Sequence, residues 1–323
     1  MAFTFEEVYQ ELTNVKPDMS DIKENCLTIM DTGFYIAEYA EKEFYDLFKT
    51  IGVNEYAYFK KNGTVLLYEA DDEAKGAFWA NVKRFFINLW EKIKSVFQTV
   101  LTKIAQIKEN GLAKKKNEIA KGFEKLLAEA AKSDGKKISG YPINPDDLVK
   151  RYNDVTANLD KKVISNDAGA WFTFSGIPDF KAKGKEGIGE YAKDLKDSLM
   201  GDKKDLTVED LNKMKVDILR ADTAKFAAAL KKCYNGYKKK FAKVISEASN
   251  GKIDDETKQR LSDNKDFLVA SNVISNTLHS VLLIYVNQII KIEYACVRLA
   301  GKKEEKKEEA KETKNESVLF SFL

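Results

Sequence analysis

The stretch FWANVKRFFINLWEKIKSVFQTVLTKIAQIK, residues 78–108, decides the fold. Its apolar residues fall at 78, 79, 82, 85, 86, 89, 90, 93, 96, 97, 100, 101, 104 and 107. Steps of one, three and four are the signature of an α-helix with one wide apolar stripe. The opposite face carries Lys83, Arg84, Lys92, Lys94 and Lys103. At 1.5 Å per residue such a segment is a rod of roughly 45 Å. A stripe of Phe, Trp, Leu, Ile and Val this long must be covered by other elements of the chain.

Those elements read as more helices. Residues 4–13 form a short one with Thr4 as N-cap and Glu7 completing a capping box. Pro17-Asp18 opens a longer one to about Thr50, with Ile22, Cys26, Ile29, Phe34, Ala37, Ala40, Phe44, Leu47 and Phe48 on one face and Gly52 as its stop. Residues 56–61 and 64–68, rich in Tyr, Phe, Val and Leu, flank Asn62-Gly63, the pattern of a β-hairpin with a type I′ turn. Beyond Asn110-Gly111 helix resumes through Lys132, followed by a loop to Pro145 and a helix to about Val163. Residues 164–188, with Trp171, Phe172, Phe174 and several Gly, are the least helical part. Long helices are expected from Thr207 to Asn250 and from Asp254 to Ala300, side by side across the Gly251 turn. Lys302–Glu316 then alternates six positive and six negative side chains, as a solvated linker or a helix extension held by i,i+4 pairs. The expected fold is mostly α: long amphipathic helices in a bundle, with one small hairpin near residues 56–68. The expected units are 1–74, an acidic helical segment with the hairpin; 75–135, basic amphipathic helices; 136–204, mixed helix and loop; 205–301, an antiparallel helical pair; and 302–323, a charged tether with an apolar tail.

Composition narrows the function. Among 323 residues, 54 Lys and Arg nearly balance 51 Asp and Glu. The balance hides a polarity, because residues 1–74 carry a net charge of −10 and residues 75–125 a net of +8. Three widely spaced cysteines, Cys26, Cys233 and Cys296, form no CxxC pair and read as buried thiols in a reducing compartment. The N-terminus is acidic and does not read as a secretory signal. Phe267–Ala300 is the most apolar stretch, but Asn272, Ser275, Asn276, His279, Asn287, Gln288 and Lys291 interrupt it, favouring a buried helix over a spanning one.

Common catalytic patterns are missing: the sequence has no Walker A run, GxGxxG, GxSxG or HExxH. His279 is the sole histidine and sits among leucines, as a core residue would. Gly184–Gly189 is Gly-rich without a preceding strand, and Asp71-Asp72-Glu73 lacks the spacing of a calcium loop. No enzyme activity, catalytic residue, cofactor, metal or small-molecule substrate is therefore expected. The candidate interaction residues are Phe78, Trp79, Phe86 and Trp90 on the aromatic stripe, Lys83 and Arg84 on the basic face, and Leu319, Phe320 and Phe322 at the apolar tip. Aromatic residues opposite Lys and Arg suit a membrane interface, and a Lys-rich face suits unspecific contact with nucleic acid.

Thr64-Val65-Leu66-Leu67-Tyr68-Glu69-Ala70-Asp71, followed by Phe78-Trp79 and the Lys-rich aromatic helix, resembles a pattern in tailed-bacteriophage virion structural proteins. The charged tract 302–316 fits the same style. The resemblance implies a non-enzymatic capsid or tail component, assembled in the host bacterial cytoplasm, whose partners are other virion subunits in an oligomer. Internal head proteins of large phages are trimmed after Leu-x-Glu or Ile-x-Glu. Leu67-Tyr68-Glu69 matches, but so do Ile22-Lys23-Glu24, Leu89-Trp90-Glu91, Leu127-Ala128-Glu129 and Ile245-Ser246-Glu247, so the motif does not discriminate.

Overall fold

A computed structural model describes residues 29–62, 72–108, 112–135, 137–160, 187–220, 224–247 and 255–319. Its eight helices are α1 (Ile29–Asn62), α2 (Asp72–Lys108), α3 (Lys116–Ala130), α4 (Pro145–Leu159), α5 (Ile188–Met200), α6 (Val208–Arg220), α7 (Ala224–Glu247) and α8 (Asp255–Leu319). The mostly α reading holds. A two-stranded antiparallel sheet is present, but it lies between β1 (Ser139–Gly140) and β2 (Lys204–Asp205).

The hairpin expected at 56–68 is corrected by α1, which runs through Gly52 to Asn62 and takes up the whole first strand. An established helix extends by one hydrogen bond per residue without a new nucleation cost. A solitary two-stranded ribbon is marginal in water. Residues 63–71, holding the second strand, lie outside the described residues, as do the expected helix at 4–13 and the first turns of the one opened by Pro17.

Helix α8 is the hub. From Phe267 to His279 every residue is buried, which is the pattern of a helix enclosed on all sides. Its backbone neighbours are α1, α2, α3, α4, α5 and α6. The stripe of α2 is buried as its period requires: Phe78, Trp79, Val82, Phe85, Phe86, Leu89, Ile93, Val96, Phe97, Val100, Leu101 and Ile104 are core residues, and Trp90 is half-buried. At Gly122, α3 approaches α8 so closely that a Cβ there would lie 1.9 Å from the Cys296 carbonyl oxygen. Lys125 of α3 donates to the carbonyls of Leu299 and Ala300, fixing the same contact one turn on.

The helix expected over 207–250 is two helices, α6 and α7, with residues 221–223 between them outside the described set. Helix α7 runs antiparallel to α8, meeting it through Phe226 with Tyr285, Tyr237 with Ser275, and Lys240 over Phe267. Its closest backbone neighbours, however, are α4 and α2. Helices α4 and α7 lie parallel in one register, because Lys225, Lys232 and Lys239 reach Asp146, Asn153 and Asp160 respectively. Each rung advances seven residues on both helices, the repeat of a coiled-coil seam.

Local signals fix several ends. Asn144 caps α4 by accepting from the Asp146 N–H, with Pro145 at the first helical position. Thr207 and Asp210 form a reciprocal capping box at the start of α6, where Lys204 pairs with Asp210 at 3.0 Å. Gly201, at φ 62°, ends α5 in a conformation that favours glycine.

Candidate functional site

Counting 100° per residue, Asn272, Ser275, Asn276 and His279 fall within about a third of the circumference of α8. All four are buried, so a polar seam runs through an otherwise apolar hub. Three of the four meet different partner helices. Asn276 fills the space beside Gly33 of α1, where a Cβ would come within 2.9 Å of its amide nitrogen. Ser275 Oγ shares a 2.9 Å hydrogen bond with Tyr237 Oη of α7 and lies 3.9 Å from Cys233 Sγ. His279 Nδ1 is 2.7 Å from Tyr152 Oη of α4, and its ring meets the edge of Phe97 of α2 at 4.7 Å between centroids.

Three atoms of the seam, Asn272 Nδ2, Asn276 Nδ2 and His279 Nε2, have no hydrogen-bond partner among the described residues. Burial holds His279 neutral, with its pKa lowered to about 3, and pushes the Cys233 thiol up to about 12. The Tyr152 and Tyr237 hydroxyls are raised by the same desolvation. A thiol at about 12 carries almost no thiolate at neutral pH, so Cys233 is an inert packing group and not a nucleophile. All four residues of the seam are enclosed by the described helices.

Two further polar knots tie the hub to its shell. Tyr285 Oη donates to Asp217 of α6 at 2.6 Å, and Lys225 of α7 pairs with the same carboxylate at 3.1 Å. Burial raises the Asp217 pKa, and these two partners oppose it. Gln288 accepts from the Tyr141 N–H and donates to the Tyr141 carbonyl, so its amide acts as one more backbone rung beside β1. Gly140 gives that amide room, since a Cβ would sit 2.6 Å from its oxygen. Near the far end, Glu293 is buried with Oε1 unpartnered, and desolvation pushes its carboxyl up to about 7.

The residues singled out from sequence are dispersed by the fold. Phe78, Trp79 and Phe86 are in the core, and Trp90 stacks on Tyr234 and Phe241 of α7 at 5.3 and 5.4 Å. Lys83 is half-buried, and Arg84 is exposed and bonded to Asn81 at 3.0 Å. Leu319 is the last residue of α8, while Phe320 and Phe322 lie outside the described residues. Among the described residues no group of three or more His, Cys, Asp or Glu is placed to hold a metal ion.

One described stretch, Glu256–Gly301 of α8, has the length and composition to cross a membrane, and most of its apolar window is buried inside the bundle. The chain matches no protein-family profile, and no curated protein or solved structure is detectably similar to it.

Proposed function

We propose that the protein is a non-enzymatic structural or assembly component of a bacteriophage particle, joined to other virion subunits through protein–protein contacts. The observation that carries this reading is the continuity of α8. One helix serves as the hub of the bundle and continues through the charged tract to Leu319. The tract repeats Lys-Lys-Glu-Glu, a period of four, so Lys302 and Lys306, or Glu304 and Glu308, are like charges at i,i+4. Such pairs destabilise an isolated helix by roughly 0.2–0.5 kcal/mol each, so intrahelical i,i+4 pairing does not account for the extension. Opposite charges fall at i,i+3 instead, as in Lys302 with Glu305 and Lys306 with Glu309, and complementary charge from other subunits of an assembly would stabilise such a helix further. The buried state of the seam's hydroxyl, thiol and imidazole groups supports a structural role in the same way.

The reading is tested by sedimentation of the full chain and of a chain ending at Gly301, alone and with candidate virion partners. Concentration-dependent assembly that is lost on removing residues 302–323 is expected. A full chain that stays monomeric at its solubility limit, with and without partners, defeats it.

A second reading, insertion of α8 into a membrane after the bundle opens, rests on the apolar stretch of Glu256–Gly301. The seam weighs against it, because buried amides and an imidazole are costly in hydrocarbon. Leakage from anionic liposomes that Leu283→Lys, on α8 itself, abolishes would favour insertion.

A further inference from the structure

Helix α7 carries seven lysines, at 225, 231, 232, 238, 239, 240 and 243, against a single acid, Glu247. Lys240 is turned inward over Phe267, and Lys225 is held by Asp146 and Asp217. The other five fall within about 18 Å of helix, at 1.5 Å per residue. Lys232, Lys238, Lys239 and Lys243 are exposed. Lys238 forms no ion pair among the described residues, and the Lys239–Asp160 pair joins two side chains more than half exposed. Such exposed pairs contribute little and are readily exchanged for another anion.

The neighbouring helix extends the same sign. Residues 76–104 of α2 hold Lys83, Arg84, Lys92, Lys94 and Lys103 with Glu91 as the lone acid; Lys92 is turned over Tyr35 and Tyr39 of α1 and Lys94 pairs with Glu91, which leaves Lys83, Arg84 and Lys103 as the outward cations. The stacking of Trp90 on Phe241 and of Phe97 on Tyr234 sets α2 antiparallel against α7. Lys83 and Lys94, seven before and four after Trp90, share the flank of α2 that borders this contact. The apolar faces of both helices, including Phe86, Phe97, Leu230 and Phe241, are buried in the core. What the pair offers outward is mainly charge: of the large apolar side chains described on the two helices Ile87 alone is exposed, too little for an apolar wedge. A lipid surface is gripped by such a wedge, whereas duplex DNA, with one charge per roughly 1.7 Å of axis, is gripped by cations alone.

We propose that the outward faces of α7 and α2 form a binding surface for the phosphate backbone of duplex DNA, independent of sequence. The inference stands apart from the assembly reading, since it concerns naked DNA and the purified chain, and either can fail alone.

The test is fluorescence anisotropy of a labelled random-sequence duplex with the full chain across a NaCl series, with thermal melts confirming that each variant is folded. Binding is expected to weaken with salt at a log–log slope of about −3 to −4.5, corresponding to roughly three to five phosphate contacts. The triple variant K232Q/K238Q/K239Q is expected to lose about tenfold or more in affinity and to flatten the slope by up to about 2.7. The variant K114Q/K115Q/K116Q, with the same charge change at exposed positions around the start of α3, is expected to bind as the parent does. Three results would overturn the proposal: no binding at low salt, equal losses in the two triple variants, or capture by phosphatidylserine vesicles without binding to DNA.

Discussion

Replacing Gly122 by alanine puts the hub contact under direct test. A Cβ at this position would stand 1.9 Å from the Cys296 carbonyl oxygen, 2.4 Å from its carbon and 2.7 Å from its Cα. All three are backbone atoms of α8, so no rotamer change relieves the overlap. Real Cβ atoms keep at least 3.0 Å, and the two helices must therefore separate by more than about 1 Å. A gap of 0.5–1 Å already forfeits about a quarter to a half of each dispersion contact across it. Ile119, Phe123 and Leu126 of α3 and Ile292 and Cys296 of α8 are buried along these helices, and the Lys125 bonds to Leu299 and Ala300 lengthen as well. Against this, alanine recovers about 1 kcal/mol of helix propensity. The net is a destabilisation on the order of 3 kcal/mol, or roughly 6–12 °C in Tm by the scaling for domains of about 150–250 residues. Scanning calorimetry reads it, with Gly76→Ala as control, since nothing lies within 4 Å of a Cβ there. That control should gain up to about 1 kcal/mol. A Gly122→Ala protein as stable as the parent would refute the close approach of α3 and α8.

The remaining expectations concern the polar groups of the hub. Tyr152→Phe leaves both nitrogens of His279 without a partner and should cost about 1–3 kcal/mol in urea unfolding. Combined with His279→Leu it should cost less than the two single changes added together; strict additivity would mean that the pair does not interact. Two buried titratable groups of α8, Glu293 and His279, should pull in opposite directions. Between about 4.5 and 7 the folded chain keeps a proton on Glu293 that the unfolded chain has released, so this group lowers stability as pH rises through the window. Between about 6.5 and 3 the unfolded chain takes up a proton that buried His279 refuses, so this group lowers stability as pH falls. Glu293→Gln should therefore steepen the loss of Tm on acidification, and His279→Leu should leave a Tm that declines from pH 4.5 to 7. Unchanged calorimetric profiles in both variants would show that these groups do not titrate as their burial requires.

Sequence spacing makes the bundle legible wherever one face of a helix is apolar and the other charged. Positions 78 to 104 of α2 are the clearest case, since the period alone names the residues that end in the core. Thr207 with Asp210, and Asn144 before Pro145, mark helix starts for the same reason: capping is decided within four residues. The hub itself was harder to place. Continuous burial erases the one-sided pattern, so Phe267–His279 reads only as very apolar, and the partner helix for each polar interruption is a tertiary choice. Tyr152 gave no signal that it would meet His279, 127 residues away. Asn62-Gly63 carries turn chemistry, yet the preceding residues are helical, because propagation from α1 outweighed a local preference. The sheet leaves no trace in the sequence, because two residues per strand give no alternation to detect. The break before Ala224 had a usable clue in Asp222-Thr223, a pair that favours helix starts. On the aromatic stripe, period and packing point the same way, so Phe78, Trp79 and Phe86 serve the core.

The hub has a consequence for biosynthesis. It follows the seven helices it organises, so each of them leaves the ribosome before the surface that covers its apolar face exists. At roughly 5–20 residues per second, the 46 residues of Glu256–Gly301 take roughly 2–9 s to translate. Through that interval the nascent chain holds an incomplete core, with Phe86, Phe97 and Phe123 lacking their final neighbours. A message interrupted before residue 255 would then yield a sticky intermediate that aggregates or recruits chaperones, and not a smaller stable protein. Quality control of this chain thus turns on whether α8, the longest of the described helices, is completed.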